Sequence, residues 1–248
     1  MVSQFFEQIR GGSVKIVDLT HTLTSKSPCW PGDSPFHASV TATHRNDGYF
    51  VRNLTMPEHS GTHLDAPAHF DPDGLTVDRI PVEKLFAPGV VIDVSSAVKT
   101  NVDYRVTAQD VENWILAHGA IPSEAVIFFR TGWAGRWPSQ ENYMNAHANG
   151  IMHFPGLSVE TGHYLLEYAH PVGIGIDTAS IDYGPSEDFP VHHTTLPAGL
   201  YHLENVANLD QLPAAGFSVI TLPLKLGGGS GAPARVIAFI PGPSENLY

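Results

Sequence analysis

The chain has 248 residues, enough for a sizeable core in one large domain or two small ones. Asp and Glu outnumber Lys and Arg by 25 to 13, a formal charge of −12 with no basic run, so binding to nucleic acid or to an anionic membrane surface is disfavoured. The single cysteine, Cys29, excludes an intramolecular disulfide and a CxxC site. Because there is also no apolar leader and no run of about 18 apolar residues, we expect a cytoplasmic protein.

Short β-branched runs recur along the chain and predict strands. They lie at 14–20, 37–43, 89–95, 125–131, 172–178, 217–226 and 234–240. Several are almost continuously apolar, as strands covered on both faces tend to be. Between them, Thr107 and Asp110 have capping-box spacing for a helix that ends at Gly119, and a second helix is predicted over 158–169 with Ser158 as its N-cap.

No internal repeat, low-complexity linker or shift in composition marks a domain boundary. We therefore predict one mixed α/β domain over residues 1–248, richer in strand than in helix. Because the chain has 23 glycines and 20 prolines, we expect many loops with defined turn conformations. The chemistry is expected on those loops.

A dense group of nitrogen and oxygen donors lies in the segment HSGTHLDAPAHF. Its members are His59, His63, Asp65 and His69. A straight strand would leave His59 and His63 about 13 Å apart, too far to share one ion. A continuous helix is excluded because Pro67 would break its interior. The segment must therefore bend, and Gly61 is the position at which a turn would return His59 to the other donors.

Two imidazoles and a carboxylate form a site suited to Zn²⁺ or Mn²⁺. Three protein ligands leave one coordination position open for water, as catalysis requires. A single histidine more often makes an ordinary hydrogen bond, but three histidines and an aspartate within one bend favour a metal site.

This segment resembles the HxGTHxDxPxHF signature of the cyclase family of metal-dependent enzymes. Other blocks resemble the family in the family's order, namely VDLTHTL, CWPGD, FFRTGW, GIDTASID, LENVANLDQLP and GSGAPARVIA. The resemblance implies an α/β swivelling β/β/α fold, a strand-rich mixed sheet with flanking helices. It also implies assembly as a homo-oligomer, either a dimer or a tetramer.

The resemblance assigns roles within the signature segment. His59, His63 and Asp65 match the primary metal ligands of the family, which bind Mn²⁺ or Zn²⁺. His69 matches the catalytic acid-base. Trp30, in the CWPGD block, matches an aromatic residue that contacts the substrate, although a packed indole in a turn is an equal alternative.

A second ion is implied by the kynurenine-formamidase branch of the family. There the bridging aspartate, a later histidine and a glutamate twelve residues beyond it hold a second metal. His192 and Glu204 have that spacing in this chain, and His193 is the fallback for the histidine. One branch of the family works with a single metal, so both one and two ions remain open.

The resemblance implies a metal-dependent hydrolase of a small aromatic cyclic amide or aryl formamide. Metal-activated water would attack the carbonyl, with His69 as acid-base. Ring opening of isatin to isatinate is preferred, because ENVANLDQLP and HSGTHLDAPAHF resemble the isatin-hydrolysing branch. The alternatives are cleavage of N-formylkynurenine to kynurenine and formate, a metal-dependent cyclase or lyase reaction, and a non-catalytic metal-binding protein with a filled coordination shell.

We expect three other polar residues to have structural rather than catalytic roles. Asp177 and Asp182 follow a predicted strand, where a carboxylate often braces a loop or orients a ligand histidine. Arg130 is expected to pair with a carboxylate rather than to take part in catalysis.

Overall fold

A computed structural model describes residues 2–242 of the chain. Its strands are β1 (Val14–Asp18), β2 (His37–Ala42), β3 (Val51–Thr55), β4 (His63–Asp65), β5 (Phe86–Asp93), β6 (Arg105–Val106), β7 (Val126–Arg130), β8 (Gly156–Leu157), β9 (Gly173–Ile176), β10 (Tyr201–Glu204), β11 (Phe217–Pro223) and β12 (Gly231–Pro241). Its α-helices are α1 (Val2–Arg10), α2 (His44–Asp47), α3 (Ser95–Val98), α4 (Ala108–His118), α5 (Gln140–Met144), α6 (Val159–Tyr164) and α7 (Pro190–Thr195).

A mixed sheet of eight strands organises the described residues, in the order β1-β12-β11-β5-β7-β9-β10-β4. The strands β5, β7, β9 and β10 run parallel, and the others pair antiparallel. The long strand β12 also pairs with β4 through Gly231–Pro233, so the sheet curls into a barrel-like form. The mixed α/β, strand-rich fold predicted from the sequence is confirmed.

The central strands are covered on both faces, as their apolar runs predict. In β7, Phe128 belongs to the core inside the curled sheet, whereas Ile127 and Phe129 belong to the core shared with the helices. Every predicted strand is present. The sequence predictions miss β3, β4, β6, β8 and β10. Of these, β4 and β10 carry buried polar residues that interrupt the apolar pattern.

Both predicted helices are also present. Thr107 caps α4 through a reciprocal capping box with Asp110, and Gly119 follows the last residue with a φ of 91°. Ser158 caps α6, whose final turns widen into a π-helix over Leu165–Ala169. Within residues 2–242, no helix is long and apolar enough to cross a membrane.

A close approach between β7 and β9 makes a glycine necessary at position 175. A Cβ atom there would lie 2.4 Å from Cδ1 of Phe128, whose ring is fully buried and cannot move aside. We expect Gly175→Ala to lower the free energy of unfolding by about 1–3 kcal/mol, the usual cost of overpacking. Gly135→Ala is the matched control, because a Cβ atom at that position meets no atom within 4 Å. Denaturant unfolding of both variants checks this, and equal midpoints would contradict it.

Candidate metal centre

The predicted turn in the signature segment is present at Gly61. Its φ is 63°, a left-handed conformation that glycine adopts at little cost. The Gly61 carbonyl accepts hydrogen bonds from Nδ1 of His63 and from Nδ2 of Asn205, at 2.9 Å and 2.8 Å. This turn brings His59 back towards Asp65, as the ligand spacing requires.

Two of the predicted donors, His59 and His63, meet at one carboxylate oxygen of the third, Asp65. Nδ1 of His59 lies 2.6 Å from Oδ1 of Asp65, and Nε2 of His63 lies 3.2 Å from the same oxygen. Asp65 and His63 are almost completely buried, on β4, while His59 is partly exposed. The structure thus brings together the three residues expected to hold the first ion.

The other oxygen of Asp65 faces a second group of donors. Asp65, His192, His202 and Glu204 each offer one atom, and these atoms all lie within 4.8 Å of one another. Nε2 of His192 is 3.5 Å from Oδ2 of Asp65 and 3.3 Å from Oε1 of Glu204. Glu204 also approaches the first group, because its Oε2 is 3.5 Å from Nε2 of His63. All four residues are buried.

Each of these four histidines uses one ring nitrogen to bind an outer partner and directs the other at the carboxylates. The outer bonds are His59 Nε2 to Ser230 Oγ (3.0 Å), His63 Nδ1 to Gly61 O (2.9 Å), His192 Nδ1 to Asp182 Oδ2 (2.6 Å) and His202 Nε2 to Thr195 Oγ1 (2.7 Å). Such outer partners fix the tautomer and orientation of metal-ligating histidines. The donors therefore fit a divalent cation.

The pKa shifts of these groups indicate what balances the charge of the centre. Burial lowers the pKa of His63, but the Asp65 and Glu204 carboxylates outweigh this and raise it to about 9. Burial likewise opposes the charged form of His192, but Asp182, Asp65 and Glu204 raise its pKa well above the ordinary value. The pKa of Asp65 is held well below its ordinary value despite burial, mainly by His63. Protonated imidazoles thus neutralise buried carboxylates where a cation would otherwise do so.

Metal binding at this centre is expected to release protons. The raised pKa of His63, about 9, means that the imidazole is protonated at neutral pH, and an ion must displace that proton from Nε2. Apparent affinity for Mn²⁺ should therefore fall as pH falls below about 9, by up to about tenfold per pH unit for each proton displaced. Calorimetric titrations with Mn²⁺ at several pH values in buffers of different ionisation enthalpy measure both effects. An affinity independent of pH would show that no proton is displaced.

His69 lies on the open side of the centre. It is the exposed histidine of the signature, and its ring stacks on that of His59 with centroids 4.1 Å apart. Partial burial lowers the pKa of His69 to about 4. The imidazole is therefore neutral at pH 7 and has a nitrogen free to accept a proton.

A cavity of about 340 Å³ opens above the centre, a size suited to a small organic molecule. His59, His63, His69, His192 and Glu204 line its floor.

Aromatic side chains form the wall of this cavity. Trp30, Phe70 and Phe189 line it, with centroids 6.1 Å apart for Trp30 and Phe189 and 5.8 Å for Phe70 and Phe189. The backbone next to Trp30 is held by the Gln140 side chain, which accepts from the Cys29 N–H at 2.8 Å and donates to the Cys29 carbonyl at 2.9 Å. Trp30 therefore lies on the wall of this cavity, and its contact with a substrate stays a prediction.

Other predicted residues lie outside the donor groups. His193 is exposed, and its ring packs against Phe70, so the geometry favours His192 over this fallback. Asp177 accepts hydrogen bonds from Thr131 and from the backbone N–H of Gly132, and so braces that loop. Arg130 pairs with Asp93.

His202 is the residue that the sequence reasoning missed. It lies on β10 two positions before Glu204, and residues two apart on a strand share a face. That alternation was the available signal, but a single histidine two residues from a glutamate is not specific.

The fold and the site together define an α/β protein with a buried histidine-carboxylate centre beneath an aromatic cavity. The family model described as "Putative cyclase" matches residues 17–183, well over half of the chain. The chain belongs to this cyclase family.

Known relatives and structures agree with this membership. Isatin hydrolase of Roseibium aggregatum is 33% identical, with 94% of this chain and 95% of the relative covered. Kynurenine formamidase of Bacillus mycoides is 30% identical, covering 89% and 95%. The solved structure of isatin hydrolase A from Labrenzia aggregata bound to benzyl benzoate has a TM-score of 0.90 and 36% identity, over 97% of this chain and 99% of that one. The swivelling cyclase-type fold expected from the sequence is thereby confirmed, and the chain is a homologue of metal-dependent hydrolases that act on amide C–N bonds.

Proposed function

We propose that this protein is a metal-dependent hydrolase that opens a small aromatic lactam, with isatin as the preferred substrate and isatinate as the product. The observation that carries the proposal is the pair of donor groups around Asp65, lying open to an aromatic-walled cavity. The similarity to isatin hydrolase over nearly the whole chain supports the choice of substrate.

His59, His63 and Asp65 would hold the ion that faces the cavity, and Asp65 with His192 and Glu204 would hold a second ion. When bound, a divalent cation such as Mn²⁺ or Zn²⁺ supplies an activated water and polarises the substrate carbonyl. Asp182 keeps the Nε2 atom of His192 directed at the carboxylates. The Ser230 hydroxyl donates to Glu58 and accepts from Nε2 of His59, so Nδ1 of His59 is left to face Asp65.

His69 would move the proton. Its neutral ring accepts a proton from the attacking water and returns it to the amide nitrogen as the C–N bond breaks. Because the ring stacks on His59, it is held beside the first donor group. Trp30, Phe70 and Phe189 would pack against the substrate ring and exclude bulk water.

Cleavage of N-formylkynurenine is the second candidate, supported by the similarity to kynurenine formamidase. That reaction uses the same attack on an amide carbonyl, so the donor groups suit it equally. The two differ in the shape of the aromatic amide that the cavity must accept.

The test is hydrolysis of isatin and N-formylkynurenine, side by side, on metal-free protein reloaded with Mn²⁺ or Zn²⁺, with metal content measured on the same sample. We expect metal-dependent turnover of isatin to exceed that of N-formylkynurenine. Incorporation of heavy oxygen from labelled water into the product separates hydrolysis from a lyase or cyclase reaction. Stoichiometric metal with neither amide consumed would reject both substrates.

The proposal extends to the domain organisation, the location and the oligomeric state. One domain over residues 1–248 is supported by β12, which pairs with both β1 and β4. A cytoplasmic location fits the single cysteine. Assembly as a homo-oligomer stays a prediction, and light scattering coupled to size-exclusion chromatography measures it.

A further inference from the structure

The side chain of His202 has an unused nitrogen in the most enclosed part of the centre. The residue is 0% exposed, and its Nδ1 has no hydrogen-bond partner. A buried polar atom without a partner is uncommon and costs about 1–3 kcal/mol. Something other than a protein group must therefore satisfy this atom.

The other ring nitrogen of His202 determines which tautomer is present. Nε2 lies 2.7 Å from Oγ1 of Thr195, and the Thr195 hydroxyl gives its single hydrogen to the Val191 carbonyl at 2.7 Å. The hydroxyl oxygen can therefore only accept from His202. Nε2 carries the hydrogen, and Nδ1 presents a lone pair.

That lone pair faces another acceptor. The carboxylate oxygen that Nδ1 approaches is Oδ2 of Asp65, 4.0 Å away, and a carboxylate oxygen has no hydrogen to donate. Two atoms that each lie about 2.1 Å from one ion are at most about 4.2 Å apart, and about 3.4 Å apart at the tetrahedral angle. A cation therefore fits between these two atoms, and a small inward movement of the side chains brings them to the tetrahedral separation. A hydrogen bond does not span this distance.

We infer that His202 is a ligand of the second cation, through Nδ1. This inference rests on the proposed function only in assuming that a cation occupies the centre. Asp65, His192, His202 and Glu204 then supply four protein donors, all within 4.8 Å of one another. Four protein donors fill the four-coordinate shell of a structural Zn²⁺ site once the donor atoms close slightly around the ion, whereas three leave an open position.

The two cation sites consequently have different roles, one catalytic and one structural. The site of His59, His63 and Asp65 keeps the open position and faces the cavity. The site that contains His202 is closed, prefers Zn²⁺ to harder cations because half of its donors are imidazoles, and holds the Asp65 carboxylate in place. Substrate is cleaved at the first site, while His192 and Glu204 of the second site still line the cavity floor.

The experiment uses the full chain with nitrogen-labelled histidine, freed of metal and titrated with the NMR-active isotope of Cd²⁺ as a stand-in for Zn²⁺. We expect two Cd²⁺ per chain, and a splitting of the His202 Nδ1 resonance by one-bond coupling to cadmium while Nε2 keeps its hydrogen. An unsplit Nδ1 signal with the centre fully loaded overturns the inference, as does a hydrogen found on Nδ1.

Two variants test the same bond by affinity. His202→Leu removes the donor and should weaken Zn²⁺ binding at one of the two sites by more than the roughly 10- to 100-fold that losing an outer partner costs. His202→Asn places an amide oxygen near the position of Nδ1 and should recover part of that loss. Equal Zn²⁺ affinities for both variants and the parent protein would reject the inference. Thermal unfolding of the metal-free variants identifies one that fails to fold, and the cadmium coupling in the unaltered chain does not depend on either.

Failure of this inference and failure of the proposed function give different results. Cadmium coupling at His202 with no hydrolysis of either amide leaves the ligand assignment standing and rejects the function. Metal-dependent hydrolysis with no coupling at His202 leaves the function standing and rejects the ligand.

Discussion

Replacing His69 with alanine is expected to lower turnover by about two to four orders of magnitude while metal content stays at the level of the parent protein. The reason is that His69 lies on the open side of the centre, stacked on His59 at 4.1 Å. Its lowered pKa, about 4, keeps the ring neutral and able to accept a proton at neutral pH. Turnover of isatin or N-formylkynurenine, with metal analysis of the same sample, checks both halves of the prediction.

His193→Ala is the matched control for His69→Ala. His193 is also an exposed histidine that contacts Phe70, but it lies outside both donor groups. Its replacement should leave metal content unchanged and turnover within about threefold of the parent, because it touches no reacting group. If His69→Ala loses metal as well as turnover, His69 is a ligand, since its ring can supply a donor atom within 4.8 Å of those of His59 and Asp65.

Asp65→Asn is expected to remove metal from both sites and to lower turnover by more than the two to four or so orders of magnitude that a general acid-base supplies. The two oxygens of Asp65 serve different groups: Oδ1 faces His59 and His63, and Oδ2 faces His192. The amide keeps the shape of the carboxylate but loses the charge that attracts both cations. Metal content after dialysis and turnover measured at saturating Mn²⁺ test the prediction.

Asp182→Asn is the control for this second variant. Asp182 is buried like Asp65 and contacts the His192 ring through Nδ1, the nitrogen on its outer side, and it also accepts from the backbone N–H groups of Val191 and His192. Asp182→Asn should weaken metal binding by roughly 10- to 100-fold, the usual effect of removing an outer hydrogen-bond partner of a ligand histidine. Retention of both ions by Asp65→Asn would mean that the two groups do not share this carboxylate.

The parts of the fold predicted from the sequence are those with strong local signals. The apolar runs of β5, β7 and β9 reveal strands because both faces of each are buried, and Thr107 with Asp110 marks the start of α4 because a capping box is a local interaction. The closure of the sheet through β12 and β4 is not local. It depends on pairing between Gly231–Pro233 and residues far earlier in the chain, which no sequence window contains.

The first donor group could be predicted from the sequence for a similar reason. His59, His63 and Asp65 fall within one short segment, and the strand spacing itself shows that Gly61 must bend. The second group comes from α7 and β10, elements that meet β4 only in the folded protein. Family resemblance supplied His192 and Glu204. His202 has no such precedent in the signature, so only its buried, unpaired nitrogen reveals it.

The pairing of β12 with β4 also sets when the centre can form. Ser230, which holds the Nε2 atom of His59, immediately precedes the segment of β12 that pairs with β4. During synthesis His59 leaves the ribosome about 170 residues before its outer partner does. A nascent chain therefore carries the whole signature segment without a fixed imidazole, and the centre matures only when β12 is added. We therefore expect metal loading to follow the synthesis of β12, and a product truncated before β12 would hold the ligands but not their arrangement.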